Sequence, residues 1–101
     1  MRRLEGKRIL VSGAGSGIGR ASAVLFADQG AAVAVAEINA EAGRATVDAI
    51  AEAGGQALFV ETDVADEASY GAAVTATVSA FGGLDVLYNN AGGATARDGR
   101  I

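Results

Sequence analysis

The stretch Leu10-Val11-Ser12-Gly13-Ala14-Gly15-Ser16-Gly17-Ile18-Gly19-Arg20 restricts the possible folds more than any other part of the chain. An apolar run at residues 9–11 reads as a buried strand, four glycines follow at alternate positions, and an amphipathic helix begins among them. Strand, glycine turn and helix in that order set a helix N-terminus at the carboxyl end of a parallel strand. Unpaired N–H groups and the positive end of the helix dipole meet there, an arrangement suited to a phosphate. Gly13 allows a sharp turn off the strand. Gly17 removes a Cβ that would hold a pyrophosphate away from the backbone, and Gly19 lets the helix approach the strand behind it.

The spacing decides which motif this is. The pattern G-x-G-x-x-G fails, because Ile18 or Arg20 falls where its third glycine belongs, whereas G-x-x-x-G-x-G fits at Gly13, Gly17 and Gly19. A Walker loop is excluded because no lysine follows the glycines. The plainer alternative is a glycine-rich turn that holds no ligand.

Beyond this loop the chain repeats one theme, an apolar run followed by a helical segment. A helix over residues 17–29 would bury Ile18, Ala21, Leu25 and Phe26 on one face. Residues 31–36 form a second strand, apolar throughout as one covered on both faces should be. Asn39 can cap a second helix with Val47 and Ile50 inward, ending at Gly54-Gly55. Residues 57–60 make a third strand. Asp66 can cap a third helix, where Tyr70, Val74, Val78 and Phe81 face inward before Gly82-Gly83. Residues 84–88 make a fourth strand, and Asn89-Asn90-Ala91-Gly92 turns away from it. Strands and helices alternating at these lengths imply βαβ units, a parallel sheet and the first half of a doubly wound Rossmann-like α/β fold. The expected strand order is 3-2-1-4, with a ligand crevice between strands one and four.

Composition narrows the function classes. The 101 residues allow one domain, and half of them are apolar, which argues for a globular chain. A net charge of −4 without a Lys/Arg cluster argues against nucleic acid or an anionic membrane as partner. The chain has neither cysteine nor histidine, which removes disulfides, thiolate metal sites and the commonest general base. Arg2, Arg3, Lys7 and Arg8 precede an apolar run too short for export or a membrane span, so a soluble cytoplasmic protein is the expectation.

Three further features bear on a ligand. Glu37 closes the second strand, where a carboxylate can accept both ribose hydroxyls of an adenosine and repel a 2′-phosphate. With no basic residue among Ala14, Gly15 and Ser16, this favours NAD over NADP. Otherwise Glu37 is a solvated residue near a helix start. Asp63-Val64 follows the third strand; the carboxylate could accept from an adenine amino group with Val64 against the base, or it could serve a turn. The Asn89-Asn90-Ala91-Gly92 amides could position a ligand, satisfy loop backbone groups, or both.

Together, Ser12-Gly13-x-x-x-Gly17-Ile18-Gly19, Glu37, Asp63-Val64 and Asn89-Asn90-Ala91-Gly92 resemble the N-terminal half of a short-chain dehydrogenase/reductase, from Lys7 to about Gly93. The resemblance implies that the loop around Gly13, Gly17, Ile18 and Gly19 holds a pyrophosphate and that Ser16 helps bind the adenosine ribose. It implies that Glu37 selects NAD, that Asp63 and Val64 hold adenine, and that Asn90, Ala91 and Gly92 contact the cofactor and steady the sheet. Ser12 stands where the family usually has Thr, one hydroxyl for another. Hydride transfer between NAD and an alcohol or carbonyl substrate is the implied activity.

The implied catalytic group, a Ser with Tyr-x-x-x-Lys, is absent. Val74 stands four residues after Tyr70, Gly92 four after Tyr88, and the one lysine is Lys7, so no catalytic residue is assigned. The fourth strand would have an unpaired apolar edge, which predicts marginal stability or self-association through it. Two other classes fit parts of the pattern. A methyltransferase binding S-adenosylmethionine also has a glycine loop and an acidic second strand end, but Val11-Ser12 lacks its usual acidic residue before the first glycine. A nucleotide-binding or assembly module without catalysis is the other.

Overall fold

The computed structural model describes residues 3–90. Along them, strands and helices alternate: β1 (Arg8–Ser12), α1 (Gly17–Asp28), β2 (Ala32–Glu37), α2 (Ala40–Glu52), β3 (Gln56–Glu61), α3 (Glu67–Phe81) and β4 (Val86–Asn89). The strands form one sheet in the order β3-β2-β1-β4, every neighbouring pair parallel. The register sets Ile9 opposite Val33 and Val86, and Ser12 opposite Ala36 and Asn89. The chain steps outward from β1 to β3 and then crosses to the other side of β1. That reversal opens a crevice at the carboxyl ends of β1 and β4.

Alternation along the strands divides the core in two. Ile9, Val11, Val33 and Val35 join Ala23 and Ala27 of α1 and Ile50 of α2 on one face. Leu10, Ala34 and Ala36 meet Ala73 of α3 on the other, with Leu58, Val60, Tyr70 and Phe81 around them. The central positions of β1 and β2 are essentially inaccessible to solvent, as expected of strands covered on both faces. Each fully buried Val or Leu contributes about 1.5–3 kcal/mol relative to exposure. Phe26 and Tyr88 extend the first cluster, their rings tilted with centroids 5.4 Å apart.

Two helix caps match the sequence expectation. Asn39 accepts from the Ala42 N–H, and Asp66 accepts from those of Ala68 and Ser69. The buried faces match less well. In α1 the inward positions are Gly19, Ala23 and Ala27, whereas Ile18 is 70% and Leu25 is 55% exposed and Ala21 is exposed too. Of the expected four, Phe26 alone packs on the core. The reason is steric, since a row of small residues lets α1 lie close to the sheet and larger ones would lift it away. Leu25 and Ala21 instead border an open groove of about 560 Å³ between α1 and α2. In α3, Ala73 and Thr77 are buried while Val78 is exposed. In α2, Ile50 is buried and Val47 packs on the core as expected, joined by Gly43 and Thr46. Among the described residues, no helix is long and apolar enough to cross a membrane.

Candidate functional site

The site is built from the loop between β1 and α1. Gly13 (φ +69°) and Gly17 (φ +60°) occupy left-handed conformations that side chains disfavour, and between them the chain turns from strand to helix. At Gly19 the need is for space, since a Cβ there would lie 2.0 Å from the Gly13 carbonyl oxygen and 2.7 Å from Asn90 Nδ2. The helix can therefore sit directly on the loop.

Ser16 is the N-cap of α1, yet its side chain makes no capping hydrogen bond, and no acidic residue stands in the first turn. The other two helices each combine a side-chain cap with a glutamate, Glu41 or Glu67, in that turn. The N–H groups and positive dipole of α1 are thus left for an external acceptor.

Neighbouring elements fix this loop. The Gly13 N–H donates to the Ala36 carbonyl at 2.8 Å, continuing the β1–β2 pairing past the strand end. Glu37 Oε1 accepts from the Gly15 N–H at 2.9 Å, and Oε2 accepts from the Asn39 N–H at 3.1 Å. A Cβ on Gly15 would lie 2.8 Å from the Glu37 side chain and from Ala42 Cβ, so this glycine is also set by crowding. From α2, the buried Thr46 hydroxyl donates to the Ala14 carbonyl at 2.8 Å.

On the other side, β4 closes the crevice. The buried Ser12 hydroxyl donates to Asn89 Oδ1 at 2.8 Å and accepts from the Asn90 N–H at 3.1 Å. Asn90 Nδ2 reaches the Gly13 carbonyl at 3.4 Å. One hydroxyl therefore joins the ends of β1 and β4. After β3, Asp63 Oδ1 accepts from the Ala65 N–H at 3.0 Å, so the turn role expected as an alternative is present. Its Oδ2 has no protein partner among the described residues.

These elements enclose a cleft of about 370 Å³ lined by Gly13, Ser16, Glu37, Asp63, Val64 and Asn90, with Ala36, Ile38 and Thr62 completing it. Six residues singled out in the sequence thus meet in one depression, although they come from four separate segments. Gly19 lies behind the cleft as a packing residue, Gly17 borders the apolar groove, and Ile18 projects into solvent. Ala91 and Gly92 lie outside the described residues. Gly15 and Thr46 are supports that the sequence did not reveal. Gly15 is not required by the motif spacing, and Thr46 resembles any small residue of an inward helix face. Among the described residues no group of three or more His, Cys, Asp or Glu side chains is placed to hold a metal ion.

Comparison with known proteins agrees with this topology. The family model described as short chain dehydrogenase matches residues 7–100. An uncharacterised oxidoreductase of Thermotoga maritima is 50% identical over 88 residues, covering 87% of this chain and 34% of its own length. The crystal structure of hydroxysteroid dehydrogenase from Escherichia coli superposes with a TM-score of 0.87 at 43% identity, over 89% of this chain and 38% of that one. A 7α-hydroxysteroid dehydrogenase complexed with NADH and 7-oxo glycochenodeoxycholic acid gives 0.83 at 41% identity, over 84% and 33%. The chain spans about a third of the length of the curated relatives it matches. The methyltransferase alternative finds no support in these matches. With the family match running from just before β1 through almost the whole sequence, the chain belongs to the short-chain dehydrogenase family.

Proposed function

We propose that the chain binds NAD in the cleft beside the glycine loop, as the cofactor-holding part of an oxidoreductase that acts on an alcohol or carbonyl substrate. One observation carries this reading: the only helix lacking both a side-chain cap and a first-turn carboxylate, among those described, starts beside the cleft that Glu37 and Asp63 line. A dinucleotide needs anion-binding N–H groups next to acceptors for its sugar and base, and the three lie together here. The relative solved with NADH supports the same reading.

The residues fit the cofactor. Loop 13–19 would hold the pyrophosphate against the first turn of α1, and the exposed Ser16 would face the adenosine ribose. Glu37 would accept from the ribose hydroxyls, and Asp63 with Val64 would contact adenine. Asn90, with Ala91 and Gly92, would border the cofactor farther along. When bound, the nicotinamide supplies or accepts a hydride. Glu37 also opposes a 2′-phosphate, so NAD is favoured over NADP. A proton-transfer residue is not assigned within this chain, which contains no Tyr-x-x-x-Lys sequence.

Calorimetric titration with NAD, NADP and S-adenosylmethionine tests the reading. Saturable NAD binding, weaker NADP binding and no S-adenosylmethionine binding are expected. Failure to bind either dinucleotide would overturn it.

We also propose that β4 mediates self-association of the 101-residue chain. Among the described residues β4 pairs with β1 alone, and Val86 and Leu87 are 43% and 50% exposed. Such an apolar edge offers unpaired backbone groups to a second strand.

A further inference from the structure

We propose that Thr46, in the middle of α2, is a positioning residue for the nucleotide loop, its hydroxyl fixing the Ala14–Gly15 peptide that precedes α1. The inference rests on the reading that the cleft takes a dinucleotide.

A threonine inside a helix ordinarily donates its hydroxyl proton to the carbonyl four residues back. Thr77 does so here, reaching the Ala73 carbonyl at 2.8 Å. Thr46 departs from that habit. Its Oγ1 lies 3.3 Å from the Ala42 carbonyl of its own helix but 2.8 Å from the Ala14 carbonyl in the loop. A hydroxyl has one proton to give, and the shorter contact takes it. Thr46 and Ala14 are both fully buried, so water cannot replace the bond. The Ala14 carbonyl has no other partner among the described residues.

The consequence comes from peptide planarity. The Ala14 carbonyl and the Gly15 N–H belong to one rigid unit. Thr46 holds its oxygen and Glu37 Oε1 holds its nitrogen, at 2.8 and 2.9 Å. Rotation of that plane would re-aim the following Ser16 and Gly17 N–H groups, which start the anion-binding turn. Glu37 has a second task in recognising the ribose, and when its carboxylate turns to the sugar it can release Gly15. Thr46 has no such competing task, and it holds the plane from the buried side throughout. The second helix, which contributes no side chain to the cleft lining, thereby sets the geometry of the phosphate site.

The test compares two ligands on wild type, Thr46→Val and Thr46→Ser. ADP-ribose needs the loop, whereas adenosine reaches Glu37 and Asp63 without the pyrophosphate. Thr46→Val keeps the side-chain shape and drops the donor. It is expected to weaken ADP-ribose about 5- to 10-fold, the scale of one lost hydrogen bond, while leaving adenosine within about 2-fold. Thr46→Ser keeps the hydroxyl and is expected to bind both ligands within about 2-fold of wild type. Unchanged ADP-ribose affinity in Thr46→Val would overturn the proposal, and so would equal weakening of both ligands, which marks a merely structural role. If the valine variant does not fold, Thr46→Ala, which also removes the donor, decides: weakened ADP-ribose with adenosine within about 2-fold upholds the proposal, and unchanged ADP-ribose affinity overturns it. Wild type that binds neither ligand would instead defeat the underlying reading of the cleft, a result distinct from wild type and Thr46→Val binding alike.

Discussion

Glu37 holds two backbone N–H groups, one on the glycine loop and one at the start of α2, and still borders the cleft. Removing its carboxylate should therefore do two things. Glu37→Ala is expected to weaken NAD by about 10-fold, the scale of losing charged hydrogen bonds, and to narrow the gap between NAD and NADP. Binding titrations of the two cofactors on the variant check this, and an unchanged preference would remove Glu37 from cofactor selection. Gly19 answers to a different constraint. The atom that a Cβ would strike is the Gly13 carbonyl oxygen, part of the backbone and unable to swing aside. Gly19→Ala should lower unfolding free energy by about 1–3 kcal/mol, the cost of overpacking, and weaken the cofactor by moving the loop. Chemical denaturation and the same titrations would show both effects. Gly13 and Gly19 were legible in the sequence because motif spacing reports backbone requirements, and so was the position of Glu37 at the end of β2, but not its bonds to the Gly15 and Asn39 N–H groups. Gly15 and Thr46 were not, because their roles arise only when α2 folds back onto the loop.

The helices divide along the same line between local and tertiary information. Caps are local, and both Asn39 and Asp66 stand where a short polar side chain precedes a helical segment. Replacing Asp66 with Ala should cost about 1 kcal/mol by leaving two N–H groups of α3 without their acceptor. A lower urea midpoint at constant slope would register that loss. Helix faces are tertiary. The large side chains of α1 suggested a face through Ile18 and Leu25, whereas the sheet selected the row Gly19, Ala23 and Ala27. Apolar periodicity weighs side-chain size and so misleads where a helix must approach closely and bury its smallest residues. Where a bulky residue does fill the interface, as Ile50 does at 1% exposure, periodicity and structure agree. The strand order was equally accessible, because successive parallel strands joined by short helices have few alternatives.

Across the sheet as a whole, the two ends of the β1–β4 pair are held differently. At the carboxyl end the Ser12 hydroxyl joins Asn89 and Asn90 beside the cleft. At the other end Arg8 and Asp85 form a salt bridge at 2.9 Å, reinforced by the Arg8 N–H donating to the same carboxylate. Hydrogen bonds from the Arg8 side chain and backbone, aided by its charge, hold the Asp85 carboxyl at about 2, below its ordinary 3.8. A depressed folded-state value stabilises the fold above the ordinary value, and that stabilisation disappears as pH falls through the lower one. Wild type should therefore exceed Asp85→Asn in stability at neutral pH, and the difference should shrink between about pH 4 and pH 2. Because both side chains are about one-third exposed, salt should reduce the effect. Thermal melts across that range would check both sign and window. Among the described residues the outer edge of β4 has no pairing strand, and the proposed self-association through it gives another expectation: sedimentation of the 101-residue chain should become heavier with concentration, and a strictly monomeric chain would exclude pairing through that edge.

One cleft, assembled from the glycine loop, Glu37, Asp63-Val64 and Asn90, is the place we propose for the cofactor. An amide-resolved magnetic resonance titration with NAD tests it most directly. Saturable shifts should concentrate at residues 13–19, Glu37, Asp63, Val64 and Asn90, while the α1–α2 groove around Leu25 and Ala53 stays unchanged. Shifts centred on that groove, or no saturable shifts at the loop, would contradict the assignment.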